Sequence, residues 1–166
     1  KLDGEHAVRA ANPCHAIVRT AWVLSPNGAN FLNTMLRLGN ERPEIGVVDD
    51  QLGCPTSADD IAQALYKILT ELDGRGGTWH FVNSGSGSWF DLATLIFAIA
   101  ERAGTAVPKL RAISTSDYPT KARRPANSRL ATDLVEREFG LAPRHWRDAV
   151  EAIMIAKFPT SLESES

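Results

Sequence analysis

Apolar residues recur along the chain with two different periods, and the switches between them mark out its elements. Within HAIVRTAWVLSPNGANF, Ala16, Ile17, Val18 and Val23 make the dense, partly β-branched run expected of a parallel-sheet strand covered on both faces. The run opens into a polar, glycine-containing loop, with Arg19, Thr20 and Trp22 near the strand's carboxyl end. In open α/β sheets ligands bind beside that end. Before the strand, Leu2 to Ala11 reads as a helix with a small apolar stripe, closed by Asn12-Pro13. After it, Asn30 can cap a helix from Phe31 to about Asn40, with Phe31, Met35 and Leu38 on one face and Pro43 barring continuation. Glu44 to Val48 reads as a short strand and Asp49 to Thr56 as a turn-rich loop. Thr56 or Ser57 then caps a helix whose Ile61, Leu65, Ile68, Leu69 and Leu72 predict a buried face.

The second half alternates in the same way. Gly74, Gly76 and Gly77 follow a helix and precede a strand, the reverse of the order a phosphate loop needs, so they read as a tight connection. Trp79 to Val82 is the predicted strand, and Ser88-Trp89-Phe90-Asp91 has the form of a capping box ahead of Leu92, Leu95, Ile96 and Ile99 at helical spacing. Gly104 ends that helix and Lys109 to Ile113 forms a further strand. Ser114 to Arg129 is the longest irregular segment. Thr132 to Phe139, stopped by Gly140, and Arg144 to about Lys157 read as the last two helices, and residues 159–166 as a disordered polar tail. Alternating strands and helices predict an α/β fold.

Composition narrows the function classes. A chain of 166 residues, 43% hydrophobic, suffices for a core of its own. Eighteen basic residues against 20 acidic, without a basic block, argue against nucleic acid or a membrane surface as partner. The apolar run Leu92 to Ala100 falls well short of the roughly 20 residues of a membrane helix. The charged opening KLDGEHAVRAANP has no apolar signal region. Cys14 and Cys54 lie far apart without a CxxC, and the four histidines do not pair at ligand spacing, so neither a disulfide framework nor a structural metal is expected and a reducing cytoplasm is the simplest home. Lys121, Arg123 and Arg124 are the most basic cluster; they suit a diphosphate, which a planar guanidinium grips with paired hydrogen bonds, or equally a solvated loop.

Four blocks carry a family resemblance. RTAWVLS with GANFLNTMLRL, VVDDQLGCPTSADDIAQAL from Val47, GSWFDLATLIF from Gly87 and DYPTKARRPANSRL from Asp117 resemble, in order, segments of the dTDP-4-dehydrorhamnose reductases of the extended short-chain dehydrogenase/reductase superfamily. KLDGE resembles the family's Tyr-x-x-x-Lys-Leu-x-Gly-Glu sequence, entered at its lysine. The resemblance implies the C-terminal part of a Rossmann-type NAD(P)-binding fold plus a small α/β substrate lobe. Residues 1–24 and about 57–83 would join the Rossmann sheet, and about 25–56 and 84–158 the lobe. Strands near Ile17 and Phe81 would then share a parallel sheet, with Ile45 to Val48 and Lys109 to Ile113 elsewhere.

The implied chemistry is hydride transfer from NADPH or NADH to the C4 ketone of a dTDP-bound 6-deoxyhexulose. Lys1 would be the catalytic and cofactor-binding lysine, bonded to the nicotinamide ribose and lowering a tyrosine pKa by its charge. Taken alone Lys1 is an exposed helix lysine; the tyrosine and the glycine-rich cofactor loop are not in this sequence, so the chain by itself is expected to be inactive. Trp22 would wall the sugar pocket, unless it is a core aromatic, with Asn30, Arg124 and Asn127 as further substrate-side candidates. Some members place acidic residues around a dimer-bridging metal. Here Asp59 and Asp60 read as helix-capping carboxylates and the later position as Lys157, so Mg2+ is not expected, while a homodimer stays open. Two alternatives remain: a nucleotide-sugar epimerase or dehydratase of the same superfamily, and a non-catalytic regulatory subunit like that of methionine adenosyltransferase.

Overall fold

In the computed structural model, which describes residues 1–119 and 124–158, helix α1 (Leu2–Ala11) leads into strands β1 (Ala16–Arg19) and β2 (Val23–Leu24). The predicted tail at 159–166, Lys121 and Arg123 lie outside the described residues. Helix α2 (Phe31–Glu41) follows, then β3 (Glu44–Val48), β4 (Leu52–Gly53), β5 (Thr56–Ser57) and helix α3 (Ala58–Glu71). Strands β6 (Gly77–His80) and β7 (Gly87–Ser88) precede helix α4 (Trp89–Arg102), strand β8 (Lys109–Ile113) and helices α5 (Asp133–Phe139) and α6 (Trp146–Lys157).

The strands form pairs. β1 runs parallel to β6, with Ile17 opposite Thr78 and Arg19 opposite His80, and the Phe81 N–H continues the ladder onto the Arg19 carbonyl at 2.9 Å. β2 is parallel to β5, and β3 to β8 with Ile45 opposite Leu110; β4 and β7 are antiparallel. Each parallel pair is bridged by helix, as parallel strands require. The Ile17 strand and the segment ending at Phe81 therefore share one parallel sheet, and Ile45 and Leu110 lie in another.

Three apolar clusters hold these layers. Leu24, Leu32, Ile96, Trp146 and Met154 join α2, α4 and α6 around β2. Ile68, Trp79, Phe81, Val135 and Phe139 pack α3 and α5 on β6, while Met35, Ile45, Val47 and Phe97 seat β3 on α2 and α4. Capping follows the sequence signals: Asn30 accepts from Asn33 N at 3.1 Å, Ser57 accepts from Asp59 N at 3.2 Å, and Ser88 with Asp91 closes a complete capping box. Gly140 ends α5 in the left-handed region at φ 59°.

Some expectations are corrected. The strand predicted through Val23 stops at Arg19: Trp22 turns into the left-handed region at φ 50°, and Val23-Leu24 pairs with β5 instead of β6. The segment from Arg19 to Leu24 contains no glycine or proline to signal such a turn. β1 is also only half-buried rather than covered on both faces, and α1 contributes no buried residue. On α3, Ala64 and Ile68 are buried, but Leu65 is 37% and Leu69 63% exposed. At about 100° per residue, Leu65 and Leu69 sit roughly 40° and 80° around from Ile61, progressively off a narrow buried stripe. The strand predicted from Trp79 begins two positions earlier, since Gly77 and Thr78, read as connection, already pair with β1.

Candidate functional site

Helix α1 lies against β1 through polar contacts that fix its direction. Glu5 accepts from Arg19 Nε at 2.9 Å and Nη2 at 2.7 Å, and one turn later Arg9 donates to Thr78 Oγ1 at 2.9 Å. Thr78 is opposite Ile17, so the helix runs antiparallel to β1 and its N-terminus reaches the strand's carboxyl end. Lys1, exposed at the N-cap position, stands there, about 6 Å along the axis beyond Glu5. The Arg19 guanidinium, by hydrogen bonding first, holds the Glu5 carboxyl below its ordinary value, and Glu5 raises Arg19 in return. Sequence reasoning placed Arg19 near this end but missed Glu5, since a separation of 14 positions carries no local pairing signal.

Beyond the same strand end, Trp22 is clamped. Its ring stacks on Trp89 with centroids 3.5 Å apart and planes 8° from parallel. A Cβ at Gly53 would lie 2.3 Å from Trp22 Cε2, 2.6 Å from Cζ2 and 2.7 Å from Cδ2. Three such similar distances place Gly53 over the ring plane, and since one face is filled by Trp89, Gly53 covers the other. Only glycine fits there. Phe31 tilts against Trp89 at 4.6 Å.

A polar chain fixes Trp89. Its indole N–H donates to Gln51 Oε1 at 3.3 Å; Gln51 Nε2 donates to Thr115 Oγ1 at 3.0 Å, and the Thr115 hydroxyl donates to Asp50 at 2.6 Å. Gln51 is only 6% exposed, so its amide needs both partners. The Thr115 hydroxyl and then its backbone N–H keep the Asp50 carboxyl below its usual range, and Ser114 does the same for Asp117. The loop after β3 and the segment after β8 are thereby tied together.

Of these groups Phe31, Gln51 and Trp89 border a cavity of about 400 Å3 between α2 and β3. Phe31, Trp89 and Tyr118 supply aromatic surface, and Gln51 and Arg124 supply polar groups. All five β3 residues line it. Among the described residues β3 pairs only with β8, so its other edge is free for a ligand's hydrogen bonds. Flat apolar walls, a strand edge unpaired among the described residues and the two guanidinium groups of Arg42 and Arg124, beside the single carboxylate of Glu44, suit a planar heterocycle carrying an anionic group.

The predicted site residues distribute unevenly. Arg124 lines the cavity, whereas Trp22 is not among its lining residues and lies behind Trp89. The Asn30 amide is engaged within its own loop, donating to Ser25 O at 2.9 Å and Asn27 O at 3.2 Å besides capping α2. Asn127 Oδ1 accepts from Arg129 N and Nε, and its backbone bridges to Leu52. Gln51, Trp89, Phe31 and Tyr118 were missed as site residues. Trp89 was read only as part of the capping box, and Gln51 only as part of a turn.

A second cavity of about 340 Å3 lies by Asp60, Asn83 and Arg144. There Asp60 accepts from Asn83 Nδ2 at 2.6 Å and Arg144 Nε at 2.8 Å, tying α3 to the segment before α6. Lys157 Nζ donates to Pro26 O at 3.0 Å. Among the described residues no three His, Cys, Asp or Glu side chains group to hold a metal, and no helix is long and apolar enough to cross a membrane.

Comparison with known proteins adds to this geometry. A family model described as the RmlD substrate binding domain matches residues 1–158. The dTDP-4-dehydrorhamnose reductase of Sinorhizobium fredii is 44% identical over 161 residues, covering 94% of this chain and 54% of the relative. A crystal structure of a dTDP-4-dehydrorhamnose reductase from Clostridium acetobutylicum superposes with a TM-score of 0.87 at 36% identity, covering 94% of this chain and 53% of the other. The reductase of Bacillus anthracis, solved in complex with NADP, gives 0.86 at 34% identity over the same shares, 94% and 53%. The chain thus spans about half the length of the relatives it matches. With its α/β fold shared by Rossmann-type reductases and its family match running from Lys1 to Phe158, the chain belongs to the dTDP-4-dehydrorhamnose reductase family.

Proposed function

We propose that this chain is the substrate-side half of an enzyme that reduces dTDP-4-dehydro-β-L-rhamnose to dTDP-β-L-rhamnose with NADPH in the cytoplasm. The observation that carries the reading is the cavity itself. An aromatic wall, the free β3 edge and Arg124 suit a pyrimidine nucleotide, and Trp22 and the end of β1 lie next to them. The thymine imide alternates donor and acceptor as a strand edge does, and Arg124 is placed for the diphosphate. The sugar then extends past Trp89 toward Trp22, which walls it with its ring edge, with Asn30 and Asn127 acting by holding the neighbouring loops.

A bound nicotinamide would supply the hydride that reduces C4. Lys1 fits the cofactor side: it is exposed, free of a capping bond and placed at the ligand end of β1. There its ammonium would hold the ribose of a bound nicotinamide cofactor and, by its charge, would favour ionisation of a tyrosine one helical turn upstream, so that this tyrosine could give its proton to the forming alkoxide. In this reading residues 1–24 and about 57–83 extend the cofactor domain's sheet, and about 25–56 and 84–158 form the substrate lobe. Leu2 at 58% and Val8 at 46% exposure on α1, with the half-buried β1, support a further layer on that side.

Two arms test the reading. Alone, the chain should bind dTDP in calorimetric titration yet neither bind NADPH tightly nor oxidise it; micromolar NADPH binding would overturn the division of labour. Joined behind the N-terminal half of the Sinorhizobium fredii reductase, it should oxidise NADPH only when dTDP-4-dehydrorhamnose is present, and Lys1→Met should lower kcat by about a hundredfold. A folded chimera that binds both ligands but transfers no hydride would refute the proposal.

A further inference from the structure

We infer that Trp89 is a positioning residue that relays occupancy of the cavity to Trp22. The inference rests on the reading of the cavity as a dTDP site and assigns a role to a side chain outside the reacting groups.

Among the described residues Trp89 is the one side chain that both lines the cavity and stacks on Trp22. The stack is face to face at 3.5 Å and 8°, so the two rings have no slack along their common normal. Trp22 cannot back away, because Gly53 covers its other face with no room even for a methyl group. Movement of Trp89 toward Trp22 is therefore blocked, whereas movement of Trp89 away opens the clamp and changes the surroundings of the Trp22 ring. Trp22 is also in a backbone region that side chains other than glycine adopt only under constraint, φ 50°, so its position depends on the clamp.

The setting of Trp89 is in turn open to the ligand. Its indole N–H is held by Gln51, which also lines the cavity and is held by Thr115. Thr115 begins the turn that leads to Tyr118, another cavity residue. A nucleotide that touches Gln51, Tyr118 or the Trp89 ring thus acts on one connected set of contacts ending at Trp22. Chains of packed rings and hydrogen bonds of this kind can carry coupling between neighbouring subsites. Through it the nucleotide end of a substrate sets the wall against which its sugar is held.

The test uses the 166-residue chain carrying fluorinated tryptophan, whose four indoles, Trp22, Trp79, Trp89 and Trp146, are resolved by fluorine NMR and assigned by single Trp→Phe substitutions. On titration with dTDP the Trp89 and Trp22 signals should both shift, and Trp79, in the separate α3–α5–β6 cluster, should not. At saturating dTDP in Trp89→Leu, the Trp22 shift should be lost. Gln51→Leu keeps the stack but removes the acceptor for the indole N–H; there the Trp22 shift should shrink while calorimetry still registers dTDP. If Trp89→Leu fails to fold by circular dichroism, the Gln51→Leu result decides. A Trp22 signal that stays fixed while Trp89 moves overturns the relay, as does an undiminished Trp22 shift in the saturated variants. No heat of dTDP binding to the unsubstituted chain would instead remove the cavity reading, and the relay with it.

Discussion

Replacing Gly53 by alanine probes the clamp on Trp22 directly. The new methyl carbon would lie 2.3 Å from Trp22 Cε2, where carbon atoms rest at about 3.5 to 4.0 Å, so the indole must retreat by about 1 Å. Its only direction of retreat is into Trp89, already in contact at 3.5 Å. Overpacking of this kind costs about 1 to 3 kcal/mol. Gly53 is not in the left-handed region, so alanine adds no backbone strain and recovers about 0.4 to 1 kcal/mol by restricting the unfolded chain. The net expectation is a loss of about 1 to 2 kcal/mol, read as a fall of roughly 1 M in the urea midpoint with an unchanged slope. In a Trp22→Ala background the same substitution should be neutral or slightly stabilising, because the obstacle is gone. An unchanged midpoint in the parent, or an equal loss in both backgrounds, would show that the ring is not confined between Gly53 and Trp89.

Two further outcomes rest on polar contacts. Ser88→Ala removes the acceptor for Asp91 N at 3.0 Å and the donor to Asp49 at 2.6 Å, so α4 should lose about 1 to 2 kcal/mol, measured by urea denaturation followed by circular dichroism. Asp50 and Asp117 have folded-state pKa values depressed from 3.8, chiefly by the hydroxyls of Thr115 and Ser114; the stability they contribute is complete above that value and is lost as pH falls through the lower folded values. The urea midpoint should accordingly decline below pH 3.8, and Thr115→Val should lessen the decline by removing the hydroxyl that favours ionised Asp50; an unaltered acid profile in Thr115→Val would count against it.

The helices were legible because their ends are written locally. Asn30, Ser57 and Ser88 each precede a periodic apolar run and each accepts from a backbone N–H of its own first turn. The β3 and β8 strands were legible because Pro43 and Pro108 mark their starts, and both segments fall where the pattern set them. What escaped was set by contacts distant along the chain. Gln51 meets Thr115 across 64 positions and Trp89 across 38, and neither separation leaves a periodic trace. Leu65 and Leu69 misled for a related reason, since apolar type alone cannot tell how wide a buried stripe will be. Of the candidate site, the family resemblance supplied Lys1, Trp22 and Arg124, but only the fold reveals that Trp89 separates Trp22 from the cavity Arg124 lines.

The energetics of Trp22 explain why so small an arrangement can matter. A left-handed backbone costs a side-chain-bearing residue about 1 to 2 kcal/mol. The stack on Trp89 returns about 0.5 to 1.5 kcal/mol beyond the area it buries. The two are similar in size, so the left-handed turn is held by contacts around the ring rather than by local backbone preference. Trp89 is the adjustable part of those contacts, because Gly53 offers a fixed surface while the Trp89 indole can rotate against Gln51 at a long 3.3 Å hydrogen bond. Contacts that a ligand makes with Gln51, Phe31 or Trp89 in the cavity would act on that balance through the stack. A residue so poised is responsive to the cavity, whereas an indole seated in a strand with ordinary backbone angles would stay where the sheet put it.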